Sequence, residues 1–133
     1  MPNGSLDTNV LLRLLLNDIP EQHESVRKLL ASASGSFSVA DTAIIELVFA
    51  LQRYYGFTRQ QVAEAVAGLT RLGVIDCNRT LFEGVLPIFV EHAALSFEDC
   101  YLSTYASLND IEPLWTFDKK LANQTASAEL VKT

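Results

Sequence analysis

Leu114-Trp115-Thr116-Phe117-Asp118 is an apolar run that ends on a carboxylate and then breaks. Residues 113–117 read as the clearest strand of the chain, rich in the β-branched and aromatic types that suit a pleated surface. A weaker strand signal, with a polar start at Pro2-Asn3-Gly4, stands at the other end of the sequence. Residues 5–7 read as a strand that closes on Asp7, and Thr8-Asn9 follow before the apolar run Val10-Leu11-Leu12. Brief strands are also expected at 37–39 and 74–77, and an edge strand at 129–131.

Helical patterns fill the intervals. One is expected over 9–16, broken by Asn17-Asp18-Ile19-Pro20. Pro20 then opens a second, a position that tolerates proline, with Val26, Leu29, Leu30 and Ala33 at helical spacing. A third, capped by Asp41 or Thr42, runs to Tyr55 and stops at Gly56. A fourth begins at Thr58, with Val62, Ala65, Val66 and Leu69 on its buried face. Residues 80–94 form a fifth that contains Pro87. Ser96 caps a sixth, with an acid three residues on as in a capping box, and a short last helix follows Asp118.

Strands alternating with helices predict an α/β fold. The expected architecture is a single three-layer domain over residues 1–133, with a short, mostly parallel sheet flanked by helices. In such sheets ligands gather at the carboxyl ends of the strands, where Asp7 and Asp118 fall.

Length and composition agree. The chain has 133 residues, 49% of them apolar, enough for a core. Its net charge of −6 argues against a protein that coats nucleic acid through a broad basic surface. An enzyme that meets nucleic acid through bound cations is not excluded, because cations reverse the sign of a site. Cys77 and Cys100 form no motif and suit a reduced, cytoplasmic setting. His23 and His92 are isolated and read as structural or surface residues. The apolar run at 10–16, interrupted by Arg13, is far too short for a bilayer.

Four acids sit in apolar surroundings: Asp7, Glu46 within Ala43-Ile44-Ile45-Glu46-Leu47-Val48-Phe49, Asp99 in Phe97-Glu98-Asp99-Cys100, and Asp118. A charge in such a setting is costly unless paired or bound to metal. Helix capping is the competing reading for Asp7, Asp99 and Asp118, and a wet helix stripe for Glu46. Convergence on divalent metal accounts for all four together. Oxygen ligands without histidine suit Mg²⁺ or Mn²⁺. With neither a Ser-His nor a Cys-His arrangement to supply a nucleophile, chemistry at bound metal is the expected role of these acids. Arg53 lies two helical turns from Glu46 on the same face, about 10 Å along the axis, too far for an ion pair with it.

In order and setting, Leu6-Asp7-Thr8-Asn9-Val10-Leu11, Glu46-Leu47, Phe97-Glu98-Asp99 and Thr116-Phe117-Asp118 resemble the motifs of the PIN-domain family, most closely its VapC-type ribonuclease toxins. The resemblance implies a metal-dependent endoribonuclease that hydrolyses RNA phosphodiester bonds, and Arg53 would then suit a neighbouring RNA phosphate. It makes Asp7, Glu46, Asp99 and Asp118 the acidic quartet, with Asn9 and Thr116 as polar supports. It also implies a small antitoxin partner and a homodimer, and Tyr54, Tyr55, Phe57 and the apolar helix after Thr58 are consistent with the latter. Met1-Pro2-Asn3-Gly4-Ser5 departs from the hydrophobic opening strand usual in the family. A phospho-acceptor receiver domain is the alternative of a different class; its acceptor Asp belongs at the end of a middle strand, where only Asp41 and Asp76 stand. A catalytically silent PIN-like scaffold is the third reading.

Overall fold

A computed structural model describes residues 2–32 and 34–133. Met1 and the expected helix position Ala33 lie outside the described residues. The chain forms two compact units, Met1–Arg79 and Thr80–Thr133. Among the described residues there are seven helices and five short strands, in the alternating order of an α/β fold.

The first unit holds β1 (Pro2–Ser5), α1 (Thr8–Leu15), α2 (Pro20–Ala31), β2 (Ser36–Ser38), α3 (Asp41–Tyr55), α4 (Arg59–Thr70) and β3 (Ile75–Asp76). Its strands make a parallel sheet in the order β1-β2-β3. The opening strand differs from expectation. It occupies the polar segment Pro2–Ser5, and Leu6-Asp7 lead out of it. Backbone pairing decides this over side-chain preference. Pro2 and Ser5 pair with Ser36 and Ser38, and Leu6 N donates to Ser38 O at 2.9 Å. As an edge strand with Asn3, Gly4 and Ser5 exposed, β1 has no need of an apolar face. The register shifts between Pro2 and Ser5, and Gly4, at φ 127°, takes up a conformation that side-chain-bearing residues rarely adopt.

α3 is the central helix of this unit. Ile44, Leu47, Val48 and Leu51 are fully buried at helical spacing. It begins one residue earlier than read from sequence, with Ala40 at the N-cap, so Asp41 and Thr42 lie inside the first turn. Its end is as expected: Gly56 adopts the left-handed conformation, φ 67°, and both Gly56 N and Phe57 N donate to Leu51 O. α4 then starts on a reciprocal capping box, with Gln61 N donating to Thr58 Oγ1 and Thr58 N to Gln61 Oε1. α1 packs on α2 and α3 through the buried pair Leu11 and Leu12.

The second unit carries α5 (Arg79–Glu91, whose first residue lies at the unit boundary), α6 (Phe97–Leu108), β4 (Leu114–Thr116), α7 (Lys119–Gln124) and β5 (Ala128–Leu130). β4 and β5 pair in parallel, so the strands among the described residues form two sheets. Phe82, Phe89 and Phe97 make its aromatic core. The Phe89 and Phe97 rings meet edge to face at 5.2 Å, while Phe82 and Phe97 lie nearly parallel at 6.2 Å. α5 runs through Pro87 and ends at Glu91, three residues before the expected 94. The buried hydroxyls of Ser103 and Ser127 bond each other, tying α6 to the segment that precedes β5.

Candidate active site

Asp7 follows buried Leu6 at the exit from β1 and is the N-cap of α1. Its Oδ1 accepts from Val10 N at 2.9 Å. The next residue, Thr8, reaches α3. Its hydroxyl lies 3.0 Å from Glu46 Oε2 and 3.2 Å from the Ala43 carbonyl oxygen. One hydroxyl hydrogen serves one acceptor at a time, and the shorter bond to a charged acceptor is the stronger. Thr8 therefore orients the Glu46 carboxylate.

Asp7, Thr8, Asn9 and Glu46 line an open cleft of about 680 Å³, together with Phe49, Tyr54 and Tyr55. The structure thus brings together two acids of the expected quartet and one of its polar supports. Asp7 and Glu46 are exposed. This corrects the premise that the acids are buried charges in apolar segments. Asp7 stands at a helix end, and Glu46 lies on the side of α3 away from Ile44, Leu47 and Leu51.

Beside the cleft a charged network joins three elements. Arg13 of α1 pairs with Asp18 at 2.6 Å, and Tyr55 at the end of α3 donates to Asp18 at 3.0 Å. The Arg13 guanidinium also donates to the Tyr55 hydroxyl at 3.3 Å. Burial pushes the Asp18 carboxyl up, but the bonds from Tyr55 and Arg13 outweigh it and hold the group below its ordinary value. The bond to Tyr55 raises the Arg13 guanidinium further. Sequence reading passed over this network, yet its signal was present. Arg13 interrupts an apolar run and so requires a partner, and Asp18 is the nearest acid to it on the carboxyl side.

Arg53 is exposed and lies in an adjoining hollow with Phe49, Gln52 and Tyr54.

Asp99 and Asp118 belong to the second unit. Asp99 is half-buried and completes a capping box. Asp99 N donates to Ser96 Oγ, and Ser96 N donates to Asp99 Oδ2, both at 3.1 Å. Asp118 is exposed and caps α7 through Oδ1, which accepts from Lys120 N at 2.9 Å and Leu121 N at 3.3 Å. Thr116 supports it from behind, its hydroxyl oxygen accepting from Asp118 N at 3.0 Å. Three of the four acids therefore make helix-terminal bonds that stabilise the fold whatever else they do.

Among the described residues no three His, Cys, Asp or Glu side chains form a group able to hold a metal ion. The histidines are engaged elsewhere: His23 Nδ1 meets Arg13 O at 2.7 Å, and His92 Nδ1 meets Gln124 Oε1 at 3.0 Å. Burial pushes the Cys77 thiol up, away from the reactive thiolate.

The PIN domain family model matches residues 5–126, most of the chain and a range that contains all four acids. This chain belongs to the PIN domain family. No match is found among curated proteins. PIN domains are generally nucleases that act with divalent metal ions, and the receiver alternative falls with this assignment. The donors around the PIN cleft fit such an ion: two carboxylates, an amide and a hydroxyl, all hard oxygen ligands. No helix among the described residues is long and apolar enough to cross a membrane.

Proposed function

We propose that this protein is a Mg²⁺- or Mn²⁺-dependent endoribonuclease, the VapC-type toxin of a toxin–antitoxin pair. The observation that carries the reading is the open cleft in which Asp7, Asn9 and Glu46 face solvent together within a PIN domain. Asp7 and Glu46 would hold the cation. Asp99 and Asp118 enter as further ligands on the strength of the sequence motifs in which they stand, both within the residues that the family model matches. When bound, such a cation activates water for in-line attack and screens the charge of the phosphodiester. The chain's own residues do the rest. Thr8 fixes the Glu46 carboxylate, Asn9 offers an amide to the phosphate or the attacking water, and Thr116 steadies Asp118. The Arg53 guanidinium takes a neighbouring phosphate of the RNA.

On this reading residues 1–133 act as one nuclease domain in the cytoplasm. A small antitoxin silences it by laying an arginine or lysine into the acidic cleft, where a charge-assisted pair forms. Exposed apolar side chains at the end of α3 and just after α4, Tyr55 and Leu72, also favour a homodimer.

Purified protein incubated with RNA tests the core of the proposal. Cleavage is expected in Mg²⁺ or Mn²⁺, is abolished by EDTA and returns when metal is restored. Equal cleavage in EDTA would refute it. Growth arrest on expression, relieved by the neighbouring gene, tests the toxin role separately. Cleavage without arrest would leave the nuclease and remove the toxin.

A further inference from the structure

Phe49 and Tyr54 are large rings left in water, 57% and 71% exposed. Both line the cleft of Asp7 and Glu46, and both line the adjoining hollow of about 570 Å³ that holds Gln52 and Arg53. The rings meet edge to face, 6.3 Å apart at 82°. That geometry makes a corner: the positive edge of one ring is spent on the face of the other, and outward faces remain. Phe49 stands three residues after Glu46 on α3, so their side chains are neighbours on the helix surface.

We propose that this corner is a stacking site for one unpaired nucleobase of the RNA, and that it sets which phosphate meets the carboxylates. The inference rests on the nuclease reading above and names how its substrate is held. A base laid on Phe49 carries its own phosphate toward Glu46, while the next phosphate lies toward Arg53. The lining suits a nucleotide: a π face for the base, an amide for its edge and a guanidinium for the backbone. The two rings wall both hollows, so a strand passing from one to the other runs over them. A paired base keeps its faces inside its own helix and is rejected. Because every base has a π face, the site tolerates all four bases.

The test uses the full chain and a short single-stranded RNA carrying 2-aminopurine, whose fluorescence falls on stacking. Phe49→Leu and Tyr54→Leu keep apolar bulk at exposed positions, and circular dichroism checks their fold. Wild type should quench the probe, and each variant should lose most of the quench. KM should rise roughly five- to a hundredfold, more than kcat falls. An abasic nucleotide moved along the RNA should weaken wild type at one position and add no further loss in Phe49→Leu. Unchanged KM and quench in both variants would overturn the stacking site while cleavage by wild type upheld the nuclease. A dimer made monomeric with KM unchanged would overturn it in favour of self-association. Quenching that both variants lose, in a protein that cleaves no RNA, would keep the stacking site and end the nuclease reading. Absence of both would end both.

Discussion

Asp7 Oδ1 and Asp118 Oδ1 accept backbone hydrogen bonds that an asparagine oxygen accepts about as well. Cation binding, by contrast, requires the charge. Asp7→Asn and Asp118→Asn should therefore unfold in urea within about 0.5 kcal/mol of wild type in EDTA, yet lose most metal-dependent cleavage. The alanine variants should each lose about 1 kcal/mol as well, because the cap goes with the carboxylate. An alanine variant as stable as its asparagine counterpart would contradict the cap; an asparagine variant with full activity would contradict the ligand. These sites were legible in the sequence as residues and only partly as chemistry. A carboxylate after a strand satisfies the rule for a cap and the rule for a ligand at once. Only the bond to Val10 N shows that Asp7 is at least the first.

The helices show where local sequence decides structure and where it does not. Gly56 and Ser96 mark their helix termini because each makes its bonds within a few residues. β1 was misplaced because its partner, β2, lies more than thirty residues away and pairing outweighed propensity. Gly56→Ala forces a side chain into the left-handed region and should cost about 1 kcal/mol, read as a lower urea midpoint with unchanged slope. Asp18 links α1 to the end of α3, and its carboxyl titrates below its ordinary value. The stability this contributes is fully present above about pH 4, the ordinary aspartate value, and is lost as pH falls through the lowered folded value. Tyr55→Phe should therefore lower the urea midpoint at pH 7, by a deficit that shrinks as the pH falls below about 4. A deficit unchanged by pH would assign the loss to packing instead.

At the scale of the molecule, 16 acidic against 10 basic side chains leave a net charge of −6. A polyanion has little reason to approach such a surface unaided. RNA retention in a filter assay should be near background in EDTA and rise on adding Ca²⁺ or Mn²⁺. Tight binding in EDTA would place recognition elsewhere than the acidic cleft. The same cations should raise the melting temperature, by the equivalent of about 2.7 kcal/mol at a hundredfold excess over Kd. The family match spans residues 5–126 and so covers most of each compact unit.

The doubling of cap and carboxylate at Asp7, Asp99 and Asp118 also bears on heredity. An aspartate codon becomes an asparagine codon by a single transition. Where the asparagine still closes its helix, the product escapes the proteolysis that removes unfolded chains. Silenced alleles would then persist as intact protein, folded and inert.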